Sequence, residues 1–162
     1  MLHIIRYVFD IKCFRIYFVI FMTFVLNVYF FSNFFIEIKP FLFLILILYF
    51  QFYFSYIVNP FFIFCIGIIL DVLSCAILGQ NSFSLNLTIF FLRDKIKFFS
   101  FFSFMQKLFI IGCSCCLYQI SMCFTNILFG HYYMNLIVII TNILLSIILW
   151  PFICYLMNKI LL

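Results

Sequence analysis

The sequence predicts an all-α integral membrane protein, a single bundle of six transmembrane helices, and three observations lead to this fold class. The 162 residues are 70% apolar and 8% charged, whereas a soluble domain is about 45–50% apolar and about 25% charged. The apolar residues form long continuous runs instead of the strict alternation that a membrane β-barrel strand requires. Basic residues occur between these runs in a pattern that fits six crossings.

The composition excludes several other classes of protein. A soluble fold of this length cannot bury so much apolar surface, and intrinsic disorder requires low hydrophobicity and high charge. The net charge of +5 comes from nine basic residues that are scattered around apolar blocks. They form no dense patch for phosphates, so we expect no nucleic-acid partner.

The first two spans are predicted over residues 16–36 and 41–58, because a spanning helix needs about 20 mostly apolar residues. The first run is too long for a signal peptide and is followed by no small-residue cleavage site, so it is expected to be retained. Asn59-Pro60 ends the second run, since proline lacks a backbone donor and disfavours helix at the residue before it.

The third span is predicted over residues 61–78 and is followed by an expected turn over 79–82. The fourth apolar run is short, so the span is extended to 81–94, with Arg93 reaching outward along its apolar stem. A basic loop follows, and the aromatic residues 98–106 are typical of an interfacial segment.

The fifth and sixth spans are predicted over residues 108–129 and 136–156. Six helices of about 20 residues take up most of the chain, which leaves a single transmembrane domain, 1–162, and no room for an extramembrane catalytic domain. With both termini in the cytoplasm, eight of the nine basic residues lie inside and only Lys39 lies outside, as the positive-inside rule requires.

Asp71 is the one acid inside an apolar run. It follows Phe61 by ten residues, about 15 Å along a helix, which is near the bilayer midplane. A charge there costs at least ~2.5–3.5 kcal/mol, and no other span offers a Lys or Arg. The carboxyl group is therefore protonated, hydrogen-bonded by an Asn or Gln of a neighbouring helix, nearer one surface than the count suggests, or paired with another protein.

Two stripes of small and polar residues indicate close helix contacts. Gly67, Asp71, Cys75 and Gly79 are spaced by four, which places them on one helix face and predicts that the third helix is a central packing element. The fifth helix carries a comparable stripe with the period of a left-handed helix seam. Its members are Gly112, Cys116, Gln119, Cys123, Asn126 and Gly130. Each stripe packs either against other helices of the bundle or against a partner protein.

Motifs for catalysis, cofactors and metals are lacking in the sequence. Cys113 and Cys116 form a C-x-x-C pair, but no His or acid lies near it, so these thiols are interpreted as small apolar residues. An intramembrane aspartyl protease needs two acids, and only Asp71 qualifies. We therefore expect a protein that is not an enzyme and that holds no cofactor or metal.

The stretch from Asn59 to Leu92 resembles the bacterial rod shape-determining protein MreD family. A proline opens a helix, a glycine is followed four residues later by an aspartate, and Leu-Ser and Leu-Gly pairs precede a short helix that ends in Arg. The matching residues are Pro60, Gly67, Asp71, Leu73, Ser74, Leu78 and Gly79. Cys75 departs from the pattern, which usually has Gly there, and we attribute the tolerance to the small size of Cys.

The resemblance implies a non-catalytic, multi-pass protein of the bacterial inner membrane that acts in cell shape and peptidoglycan synthesis. It implies binding to an MreC-like bitopic protein and, through it, to an MreB-like filament and a RodA-type synthase. It also implies a fold similar to the substrate-binding subunits of energy-coupling-factor transporters. The candidate helix-packing or partner-binding residues are Pro60, Gly67, Asp71, Ser74, Cys75, Gly79, Gln119 and Asn126.

The alternative function is a substrate-binding membrane subunit of a transporter for a vitamin or similar small molecule. Such a subunit needs several polar groups that converge near the outer leaflet. The candidates are Gln80, Asn81, Asn86, His131 and Asn135. A pore-forming protein would need a continuous polar stripe through several helices, and the sequence shows only scattered Asn, Gln and Ser.

Overall fold

The computed structural model describes residues 18–25, 41–53, 59–96, 98–130 and 136–161, and their regular structure is entirely helical. A short helical segment, α1, covers 18–25. It is followed by α2 (Leu42–Tyr53), α3 (Pro60–Leu73), α4 (Gln80–Ile96), α5 (Phe104–Leu128) and α6 (Leu136–Leu161). A 3₁₀ turn, Phe99–Phe101, lies between α4 and α5. The predicted all-helical class is confirmed.

Local sequence explains where several helices begin and end. Pro60 is the first residue of α3, where its missing N–H is not needed and its fixed φ suits a helix. Ser103 begins α5 with a capping box, in which its backbone N–H donates to Gln106 Oε1 at 2.9 Å. Gly130 follows the end of α5 with a φ of +78°, a left-handed conformation that glycine adopts without strain.

Two helices are long and apolar enough to cross a membrane, Phe104–Leu128 and Leu136–Ile160, each of 25 residues. At 1.5 Å per residue each is about 37 Å long, which exceeds the hydrocarbon thickness of about 30 Å. Only 33% and 17% of their most apolar windows are buried in the bundle. Their apolar side chains therefore point mostly outward, unlike those of core helices in soluble proteins.

The helix bounds differ from the predicted spans at the third, fifth and sixth ones. α5 begins at Phe104 instead of residue 108, and α6 ends at Leu161 instead of residue 156. The third predicted helix, α3, ends at Leu73 instead of residue 78, and the turn covers 74–79 instead of 79–82. The physical reason is backbone geometry, because Cys75 and Gly79 both have positive φ, +50° and +91°, which cannot continue a right-handed helix. The first predicted span, 16–36, lies mostly outside the described residues.

The most deeply buried of the described helices is α2. All residues from Phe43 to Phe50 are at most 3% exposed, because this stretch is apolar on every side and α4 and α6 both pack against it. α3 packs chiefly against α4, and Phe61 and Val72 on its outer side are 78% and 59% exposed. α4 also packs against α5, and α5 against α6.

Polar groups connect α2 to α6 inside this apolar packing. The backbone N–H of Phe41 donates to Ser146 Oγ at 2.9 Å, and Tyr49 Oη donates to Asn158 Oδ1 at 2.7 Å. Groups that cannot reach water must find such partners, so these bonds fix how far α2 slides along α6.

The basic residues of the described helices gather at one end of the bundle. Arg93 and Lys95 lie in the last turn of α4, Lys107 lies in the first turn of α5, and Lys159 lies in the last turn of α6. The expected interfacial segment lies at this end and is partly internal. Phe99 is 2% exposed and stacks on Phe52 with 3.6 Å between ring centroids.

Gly67 provides the first test of the packing. A Cβ at this position would lie 2.6 Å from the backbone N of Ser82 and closer still to its Cα, so α3 and α4 would have to separate. We expect Gly67→Ala to lower the free energy of unfolding by about 1–3 kcal/mol, as overpacking does, measured by thermal unfolding in detergent.

Gly112→Ala is the matched control for this substitution. Its Cβ would lie 3.2 Å from Ile147 Cδ1, the flexible end of a side chain that can move. Equal destabilisation by the two variants would contradict the close approach of α3 and α4.

Candidate functional site: a buried polar cluster at the α3–α4 turn

Asp71 lies near the end of α3 and is completely buried, at 0% exposure. Its carboxylate accepts three hydrogen bonds from the opening of α4. Oδ2 accepts from the backbone N–H of Gly79 at 2.8 Å, and Oδ1 accepts from the backbone N–H and the Nδ2 of Asn81 at 2.9 and 2.8 Å. The side chain therefore caps the start of a helix that lies eight residues further along the chain.

This geometry explains how an acid is accommodated among apolar helices. The first backbone N–H groups of a helix lack intrahelical partners and carry partial positive charge, so they are favourable partners for a carboxylate. Among the alternatives that the sequence left open, the structure has Asp71 hydrogen-bonded by an Asn of the neighbouring helix. It also places Asp71 at the turn instead of midway along a span.

Asn81 extends the cluster to α5. Its Oδ1 accepts a hydrogen bond from Tyr118 Oη, and Tyr118 is buried against the ring of Phe41 with 5.1 Å between centroids. Asp71, Asn81 and Tyr118 thus connect α3, α4 and α5. We call these three residues the Asp71 cluster.

A second polar connection lies beside the first. Gln80 Nε2 donates to Asn126 Oδ1 at 2.8 Å and to the backbone carbonyl of Met122 at 3.2 Å. The start of α4 is therefore held to the last turns of α5 by side-chain hydrogen bonds as well as by packing.

The structure separates the four residues of the first predicted stripe. Gly67 and Asp71 lie on α3 and face α4, whereas Cys75 and Gly79 lie in the turn. Gly79 still contributes, through its N–H to Asp71. Cys75 is exposed, so its small size does not explain its tolerance there. The φ of +50° does explain why glycine suits this position.

Ser74 and Pro60 have local roles at the two ends of α3. Ser74 Oγ donates to the carbonyl of Leu70 at 2.7 Å and so satisfies a group of its own helix end. Pro60 starts the helix and lies eleven residues from Asp71, about 16 Å away along the axis. Ser74 Oγ also lies 3.5 Å from the backbone carbonyl oxygen of Asp71, so it reaches the Asp71 cluster at the main chain.

The stripe of residues predicted on α5 does not coincide with the buried face of that helix. Gln119 contacts Cys123 on its own helix, with 3.9 Å from Nε2 to Sγ, and Cys116 is exposed. The polar group that reaches inward is Tyr118, which the sequence analysis missed because a phenol in an apolar run resembles the many aromatic residues around it. The buried residues of α5 are Ile111, Ser114, Cys115, Tyr118, Ser121 and Thr125.

The remaining reactive side chains are the cysteines and the groups that can bind a metal ion. The seven cysteines within the described ranges are free thiols, and Cys113 and Cys116 are both exposed. Over the same ranges, the structure brings together no set of three His, Cys, Asp or Glu side chains that could hold a metal ion. The polar side chains of the Asp71 cluster therefore bind one another.

The outward apolar side chains and the internally hydrogen-bonded polar cluster are compatible with the class of helical membrane proteins, and two of the described helices are long and apolar enough to cross a membrane. The family model of the rod shape-determining protein MreD matches residues 8–160, nearly the whole chain. The chain therefore belongs to the MreD family, as the motif between Asn59 and Leu92 indicated, and the family implies a role in determining rod shape.

No curated protein and no solved structure matches the chain. The expected likeness to the substrate-binding subunits of energy-coupling-factor transporters therefore has no support from known structures.

Cys75 offers a test of the turn. We expect Cys75→Gly to raise the free energy of unfolding by up to ~1 kcal/mol, because it removes the cost of a left-handed residue with a Cβ. Cys75→Val should lower it, since a β-branched residue is more strained at positive φ. Cys113→Gly, at an exposed position inside α5, should be destabilising instead. A destabilising effect of Cys75→Gly in thermal unfolding would contradict the turn geometry.

The Asp71 cluster predicts an order of stability among variants. Asp71→Leu leaves two buried backbone N–H groups unpaired and should cost more than about 2 kcal/mol, whereas Tyr118→Phe removes one hydroxyl and should cost about 0.5–1.5 kcal/mol. Tyr155→Phe is the control, because Tyr155 is 67% exposed. Thermal unfolding in detergent measures all three, and a Tyr118→Phe variant as stable as the control would count against the cluster.

Proposed function

We propose that this protein is a non-catalytic, multi-pass scaffold of the bacterial inner membrane. In this proposal it belongs to the complex that directs cell elongation and peptidoglycan synthesis. It binds an MreC-like bitopic protein through its helices and, through that protein, an MreB-like filament and a RodA-type synthase. Membership of the MreD family supports the shape-determining part of the proposal.

The observation that carries the scaffold function is the way polar groups are used. The Asp71 cluster and the Gln80–Asn126 pair are committed to joining helices, as are the hydroxyls that connect α2 to α6. What the described helices offer outward is apolar side-chain surface, which suits association with other helices in lipid through packing.

The outer face of α3 is our candidate for the partner surface. Phe64, Ile69 and Val72 are 47%, 50% and 59% exposed there, and α4 is the main neighbour of α3 among the described helices. The Asp71 cluster fixes one end of α3 in place. A rigid surface loses little conformational freedom on binding, which favours affinity.

The orientation of the scaffold follows from its charges. The end that carries Arg93, Lys95, Lys107 and Lys159 is assigned to the cytoplasm, because basic residues are enriched on the cytoplasmic side of membrane proteins. Both termini are then cytoplasmic, and the turn at Asp71 faces the other side.

The alternative transporter function has less support, because three of its candidate ligand groups are already hydrogen-bonded inside the protein. Gln80 and Asn81 bind Asn126, Asp71 and Tyr118, and Asn86 Nδ2 donates to the carbonyl of Ser82 at 3.0 Å. Residues 131–135, which include the other two candidates, lie outside the described residues.

Co-purification tests both the scaffold and its surface. We expect the tagged protein to recover an MreC-like partner, and we expect Ile69→Trp to reduce that recovery about tenfold, equivalent to ~1.4 kcal/mol. Lipid chains adapt to a larger side chain, whereas a packed partner helix does not. Thermal unfolding of the variant should be unchanged.

Ile148→Trp on α6 is the control, since Ile148 is 68% exposed on another helix. Equal recovery with both variants would exclude the outer face of α3 as the partner surface. Failure of the unmodified protein to recover any elongation protein would contradict the scaffold function itself.

A further inference from the structure

A cavity of about 660 Å³ lies between α2, α3 and α4, and it extends along α4 from Phe83 to Arg93 at the basic end of the bundle. From its chemistry we propose that it binds an anionic phospholipid, with the phosphate at Arg93. This inference goes beyond the scaffold function and does not depend on it.

Arg93 supplies the charge that an anion needs. It lies in the last turn of α4 at the rim of the cavity and is exposed. Guanidinium groups bind phosphate through two parallel hydrogen bonds, so an Arg at the rim of a cavity is well suited to a phosphodiester.

The start of α3 favours the same ligand. Asn59 and Pro60 line the cavity, and the Asn59 side chain caps no N–H of the helix that it precedes. The first turn of α3 therefore presents partial positive charge toward the cavity without an internal acceptor from Asn59.

The remaining wall selects a lipid over a soluble anion. Ile63, Phe83, Leu87 and Phe90 line the cavity, and Phe90 is 71% exposed on the outer surface of α4. An acyl chain can lie along this surface while the headgroup stays at the basic end. A free phosphate would leave these contacts unused.

Binding can be measured on the full chain in a neutral detergent by native mass spectrometry and by thermal unfolding. Phosphatidylglycerol is the main probe, and phosphatidylcholine and free glycerol phosphate are the comparison ligands. We expect phosphatidylglycerol to bind and stabilise, and the other two to have little effect. Arg93→Gln should weaken phosphatidylglycerol binding at least fivefold.

The matched control is Lys159→Gln, which removes one charge from the same end of the bundle but outside the cavity. Equal loss in both variants, or none in Arg93→Gln, would overturn the site. Competition by glycerol phosphate at equal concentration would identify a soluble anion site and overturn the lipid proposal.

Discussion

The arrangement of the described helices depends on one buried carboxylate. Asp71 can lie among apolar helices because the opening of α4 presents unpaired N–H groups directly to it, through Gly79 and Asn81. The same bonds bring the two helices so close that Gly67 has no space for a side chain beside Ser82. The hydrogen bonding of the Asp71 carboxyl group and the close packing of α3 and α4 are therefore two results of one geometry. Asn81 also accepts a hydrogen bond from Tyr118 of α5, so one hydrogen-bond network positions three helices.

The two ends of the bundle differ in how they treat polar groups. At the α3–α4 turn, the polar side chains pair with one another and leave little for an outside ligand. At the opposite end, Arg93 lies at the rim of a cavity. This contrast fits a protein whose one end is a rigid connection and whose other end meets charged lipid headgroups. The two proposals are physically separate, because the partner surface on α3 is apolar, whereas the lipid site has a charged side chain at its rim.

Membership of the MreD family gives these features a biological setting without assigning chemistry to them. In the scaffold that we propose, such a protein acts through the partners that it holds and the positions in which it holds them. The apolar outer face of α3, fixed at one end by the Asp71 cluster, is the kind of surface on which a partner helix can be held in lipid, where packing and hydrogen bonding replace the hydrophobic effect between helices.

The sequence by itself determined the helical class, the family, and the importance of Gly67 and Asp71, because continuous apolar runs and an acid within them have few physical explanations. It could not determine where α3 ends, since spacing by four continues to Cys75 and Gly79 although both have positive φ in the structure. It could not show that α2 is the innermost helix, because an apolar helix can face lipid or protein equally well. Only the tertiary structure decided the partners of Asp71. Those partners are the backbone N–H groups of Gly79 and Asn81 and the side-chain amide of Asn81, whose proximity to Asp71 depends on how α3 and α4 pack.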